Sequence, residues 1–231
     1  MSLRPQSRPP AAVNPLPASV LGLAVVIFGI ECLFELADRG IIGGTGGMGL
    51  RLGALEHFAF YGQALDWMLT NQRFPPELLA RLVTYPLLHV GFVQAVMACV
   101  FILAIGKMVG EAFGNVAVLA IFFGASVGGA LAYGLILDAT YPLIGAFPGV
   151  YGLIGGFTFM QWVRQKAVGE SQMRAFQLIG LLLAIQLIFG ALFGAGQEWV
   201  ADIAGFVCGF GLSFLFVPGG WARLRDRLRS R

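Results

Sequence analysis

Charge is what this chain has least of. Asp, Glu, Lys and Arg make up 12% of its 231 residues, about half the roughly 25% of an ordinary soluble domain. Together with 58% hydrophobic residues, that deficit excludes a soluble enzyme, a nucleic-acid binder and a disordered scaffold. Cysteine is scarce too. Cys32, Cys99 and Cys208 each sit inside an apolar run without metal-ligand spacing, and read as small packing residues rather than a disulfide or a metal site. Only two histidines occur, His57 and His89. There is no phosphate- or dinucleotide-binding glycine pattern and no internal repeat. The net charge of +3 and pI near 9.0 come from basic residues in loops and tails, where they act as topology signals.

What is present is apolar, aromatic and glycine-rich. Mean hydropathy is +0.80, with 20 Phe and 33 Gly, and Gly is commoner in membrane helices than in soluble ones. A helix needs about 20 apolar residues to cross the hydrocarbon core. Six stretches qualify: Ala18–Ala37, Leu82–Ile105, Val116–Leu137, Pro142–Trp162, Phe176–Phe193 and Trp199–Val217. The reading is an all-α polytopic membrane protein with a six-helix domain over residues 18–217. A tail of residues 1–17 precedes it, and a basic tail of residues 218–231 follows it. Residues 39–80, between the first two spans, are too many for a bare loop. There Leu52, Leu55, Phe58, Leu65, Trp67, Met68 and Leu69 alternate with Arg51, Glu56, Gln63 and Asp66. This is the pattern of an amphipathic segment in the headgroup layer, or of a small folded loop domain.

Orientation follows from Lys and Arg. With both tails on one side, that side holds Arg4, Arg8, Lys107, Arg164, Lys166, Arg174, Arg223, Arg225, Arg227, Arg229 and Arg231, against Arg39, Arg51, Arg73 and Arg81 on the other. The excess puts both termini in the cytoplasm and the amphipathic loop outside. The first 17 residues, with Arg4, Arg8 and several prolines, have no cleavable signal pattern.

Four motifs stand out. The second span opens Arg81-Leu-Val-Thr84-Tyr85-Pro86-Leu-Leu-His89 and closes Gly106-Lys-Met-Val-Gly-Glu111-Ala-Phe-Gly114. The fourth reads Gly145-Ala146-Phe147-Pro148-Gly149-Val150-Tyr151-Gly152-Leu153-Ile154-Gly155, and the sixth Ala201-Asp202-Ile203-Ala204-Gly205-Phe206-Val207-Cys208-Gly209. In order and spacing these resemble the six-span core of the rhomboid intramembrane serine proteases (the peptidase S54 fold). The likeness runs from about Arg81 to Val217 and includes the shape of the first loop. Small residues let membrane helices approach closely, so Gly145, Gly149 and Gly152 should pack the fourth span against Gly205 and Gly209 of the sixth.

The resemblance implies a Ser nucleophile on the fourth span, a His base on the sixth, and a His and an Asn on the second that stabilise the oxyanion. Residue by residue, those positions fall on Phe147, Asp202, Gln94 and Ala98. Arg81, His89, Tyr151 and the glycine scaffold are retained. Phe147 cannot attack a carbonyl, and no other Ser/His or Ser/Lys pair stands in for it. Ser126, in Gly124-Ala125-Ser126-Val127-Gly128, is on the wrong span and reads as a packing residue. The expected site is a filled, partly polar core. In it Phe147 occupies the substrate space, and Asp202 is protonated or hydrogen-bonded by Gln94, Tyr151 or trapped water.

Glu31 and Glu35, four apart on the first span, are read as interfacial acids reaching water, or as partners of a cation, Arg39 or Arg81. Three function classes follow. The first is a rhomboid-like pseudoprotease that binds other transmembrane proteins, as an assembly factor or accessory subunit of a membrane complex. The others are a protease with an unorthodox site and an ion-binding or transport protein. The expected setting is a bacterial plasma (inner) membrane, with the lipid bilayer and other membrane proteins as partners, no nucleic acid, no cofactor and no metal.

Overall fold

The computed structural model describes residues 15–137, 140–193 and 196–216. The expected C-terminal tail and all but the last three residues of the expected N-terminal tail lie outside them. The helices, in chain order, are α1 (Ala18–Asp38), α2 (Leu50–Phe58), α3 (Gly62–Asn71), α4 (Pro76–Thr84), α5 (Phe92–Phe113), α6 (Asn115–Ile136), α7 (Phe147–Ala167), α8 (Gln177–Phe193) and α9 (Trp199–Phe216). Four of them, α1, α5, α6 and α9, are long and apolar enough to cross a membrane.

Two spans are displaced from the sequence expectation. The second runs from Phe92 to Phe113 rather than from Leu82 to Ile105. The apolar run through residues 82–91 is split instead into the end of α4, a single 3-10 turn at Tyr85–Leu87 and an extended link. Pro86 cannot donate to a continuing helix, and Gly91 is fully extended at φ −175°, so the helix restarts after both. The fourth span runs from Phe147 to Ala167 rather than from Pro142 to Trp162.

At the centre stands α7. Its residues from Pro148 to Gly156 are buried without a break, which explains why it is less apolar than the helices around it: little of it faces lipid. Val20 and Ile27 of α1, Ile102 and Val109 of α5, and Ile121 and Phe122 of α6 close around Leu153 and Ile154 of α7. The tightest contact is between α7 and α9. A Cβ at Gly209 would strike the Gly152 carbonyl, and one at Gly205 the Pro148 carbonyl, so only glycine allows this separation. The fourth-to-sixth glycine contact is therefore present at Gly152, Gly205 and Gly209. Two glycines serve elsewhere. Gly149 faces Phe122 and Ser126 of α6, and Gly145 lies ahead of α7 at φ +104°, a turn conformation L side chains avoid.

Helices α2, α3 and α4 fold over one end of the bundle, called here the loop end. Phe60, Leu65 and Met68 pack with Tyr85, Tyr133 and Leu143 in a second, smaller core. Leu52, Phe58, Trp67 and Leu69 remain exposed on the same segment. The segment is thus folded and amphipathic at once. Helix α8 is the loosest element. Its main neighbours are α7 and the 3-10 turn Gln172–Phe176 before it, and Leu181, Ile185 and Ile188 stay uncovered.

Candidate functional site

The loop end fixes where α7 begins. Arg81 donates from Nη1 to the Ala59 carbonyl (3.3 Å), and the Thr84 hydroxyl donates to the Phe58 carbonyl (3.0 Å). Phe60 and Leu143 exchange backbone hydrogen bonds of 3.2 and 2.8 Å. The buried Tyr85 hydroxyl donates to the Ser126 carbonyl (2.7 Å), while the Tyr85 carbonyl accepts from Gly145 N–H (3.2 Å). One residue on, Ala146 N–H donates to His89 Nε2 (3.3 Å). Burial holds the His89 imidazole down, from 6.5 to about 4, because the charged form would lose its hydration. A neutral ring leaves Nε2 free to accept. Arg81, Thr84, Tyr85 and His89 therefore position the turn that ends in Phe147.

Beyond that turn lies a hollow of about 320 Å3 walled by α5, α7, α8 and α9. Gln94, Phe147, Tyr151, Gln186, Glu198 and Asp202 all reach it; Leu182 and Ile185 of α8 supply an apolar side. A short polar chain crosses it. The Tyr151 hydroxyl donates to Gln186 Oε1 (3.3 Å), and Gln186 Nε2 donates to Asp202 Oδ2 (3.0 Å). Asp202 sits in the first turn of α9, where the helix dipole favours negative charge. Its residue is 5% exposed, yet Oδ1 has no hydrogen-bond partner among the described residues.

Four of the positions singled out in the sequence, Gln94, Phe147, Tyr151 and Asp202, are thus brought together. Ala98 is not; it is packed in the main core. The filled-core expectation is corrected, since Phe147 is one wall of a hollow rather than its plug. Gln94 does not bind Asp202 either: its Oε1 accepts from Val90 N–H (2.9 Å) and its Nε2 lies beside Gly145. Gln186 takes that part. It is a polar group in an apolar helix, but nothing in its spacing links it to a residue 16 positions on.

Chemically, the hollow offers two carboxylates, two amides, a phenol and aromatic faces. No Ser, Thr, Cys, Lys or His is among the described residues lining it. Ser126 is fully buried elsewhere, its hydroxyl donating to the Phe122 carbonyl (2.8 Å). A hydroxyl nucleophile with an imidazole base is not assembled here.

A second cluster was missed in the sequence. Arg51 of α2 reaches Glu31 of α1 through two bonds (3.1 and 3.0 Å), Asp38 (3.1 Å) and the His89 carbonyl (3.0 Å). Its guanidinium also lies over the Phe34 ring at 5.2 Å. Glu31 is 1% exposed, so it is no water-seeking acid. Glu35 pairs with Arg39 (3.3 Å) as one reading expected; Arg81 pairs with neither acid. The cluster fastens the loop end to α1 and involves no residue of the hollow.

Bundle, loop-end helices and glycine contact together define a class. Residues 76–219 match the family described as "Rhomboid domain", and the chain belongs to the rhomboid family. Over 137 residues, 59% of this chain and 67% of the other, it is 26% identical to a protein of Bacillus subtilis (strain 168) named "Putative rhomboid protease YdcA".

Proposed function

We propose that this rhomboid-family membrane protein binds transmembrane helices of other proteins without cleaving them, as an assembly factor or accessory subunit of a membrane complex. The observation that carries this reading is the hollow. It keeps the scaffold that positions α7, but Phe147 and Asp202 stand where the family resemblance seats the nucleophile and the base. The loosely packed α8 beside it supports lateral access for a helix from the bilayer.

The same reading takes α7 and α8 as the remaining two spans. At 21 and 17 residues they fall within the usual range. The basic-residue asymmetry supports cytoplasmic termini in a bacterial plasma membrane, with the loop end outside.

The test is labelling with a serine-reactive fluorophosphonate in membranes, alongside incubation with a rhomboid model substrate. Wild type should give neither adduct nor fragment. Phe147→Ser should also leave the substrate whole. It restores a hydroxyl but no imidazole, and Pro148 lacks the N–H that a glycine would offer in that turn. Cleavage by the wild-type protein would overturn the reading.

A further inference from the structure

The hollow is acidic in a way that specifies a ligand. Asp202 and Glu198 are four residues apart and both reach it, and no Lys, Arg or His is among its described lining residues. Asp202 is nearly buried and its Oδ1 is unpartnered among the described residues, although buried carboxylate oxygens are ordinarily satisfied. We propose that the hollow receives a lysine side chain from a partner transmembrane helix, its ammonium paired with Asp202; this rests on the helix-binding reading given above.

Three features select lysine. First, Gln186 already donates to Asp202 Oδ2, so Oδ1 is the one oxygen left without a partner among the described residues. A compact ammonium suits one oxygen, whereas an arginine fork is matched to two. Second, the walls fit the stem as well as the head. Leu182 and Ile185 give apolar surface for four methylenes, and the rings of Phe147 and Tyr151 lie at the same hollow, where aromatic faces attract a cation. Third, a lysine within a span is costly unless paired, so a client helix carrying one gains by delivering it here. A lipid ethanolamine head brings the same ammonium but with a phosphate beside it, which Glu198 and Asp202 repel.

The test uses the full chain in phosphatidylcholine vesicles and fluorescent Leu/Ala host helices. Each host carries Lys, norleucine or Arg at one site level with the hollow, and a photo-cross-linker at position 185 reports whether a peptide seats there. The Lys host should bind about tenfold more tightly than the norleucine host, the upper range for one polar contact between membrane helices. Asp202→Asn should reduce that preference to about threefold or less. Glu198→Gln, at an exposed position, should lower the preference in the same direction and covers the case in which Asp202→Asn does not fold. Equal cross-linking of Lys and norleucine hosts would sink the lysine inference and leave helix binding standing. Loss of the Lys preference on adding phosphatidylethanolamine would assign the site to lipid and overturn it. No cross-linking of any host would count against helix binding itself.

Discussion

Arg51 shows how much a single side chain can hold. Its side chain is 14% exposed and that of Glu31 1%, so removing either partner leaves a charge in a dry place. Arg51→Ala should cost about 3–5 kcal/mol of stability, read as a lowered midpoint of thermal unfolding in detergent. Replacing both residues with apolar side chains, Arg51→Met with Glu31→Leu, should recover most of it; equal loss in the single and double variants would contradict the assignment. The pair was not legible in the sequence. Glu31 and Arg51 lie on different helices joined through a glycine-rich turn, and only the docking of α2 on α1 brings them together. Glu35 and Arg39 were legible because four residues on one helix always meet.

His89 makes a second residue-scale prediction. Its folded-state pKa is held near 4 against an ordinary 6.5, so between those values the unfolded chain binds more protons than the folded one. The contribution is complete above about pH 6.5 and is lost as the pH falls toward 4. Thermal midpoints should therefore drop across that window. His89→Gln, which can still accept from Ala146 N–H, should flatten the drop; an unchanged slope would show that the ring is not buried neutral.

Among elements, glycines discriminate contact from exposure. Gly209 meets the Gly152 backbone, whereas an added Cβ at Gly211, on the same helix, meets nothing within 4 Å. Gly209→Ala should cost about 1–3 kcal/mol by forcing α7 and α9 apart, and Gly211→Ala should be neutral or stabilise by up to about 1 kcal/mol. Comparable effects at both sites, in unfolding by denaturant, would show that α7 and α9 do not touch there. The glycine spacing was readable in advance because small residues at four-residue intervals share a helix face. The start of α5 was harder to read. Hydropathy runs on through Leu82–Leu88 and cannot distinguish a span from the short α4 and its 3-10 turn, while Pro86 and Gly91 carried the local signal. For the site, position was legible and pairing was not: Gln94, Phe147, Tyr151 and Asp202 meet at the hollow, but Gln186 rather than Gln94 holds Asp202.

At the scale of the molecule, the most enclosed helix is not the most apolar one. Span-finding by hydropathy favours helices with more uncovered surface such as α5 and α9, while α7 tolerates Gln161, Arg164 and Lys166 because its remaining length is sheltered by protein. Topology is checked by single cysteines at positions 8, 67 and 225 in a chain lacking its native three. Positions 8 and 225 should react only after membranes are permeabilised, and position 67 in intact cells; labelling of 8 or 225 from outside would reverse the orientation.

A rhomboid scaffold that engages a helix and leaves it whole makes two claims, and one gel measures both. The purified chain, with a photo-cross-linker at position 185, is irradiated with a labelled transmembrane rhomboid substrate in vesicles and resolved by size. The predicted result is a cross-linked band carrying the full-length substrate, with no shorter labelled fragment. A fragment that accumulates with time, in irradiated and dark samples alike, would contradict it.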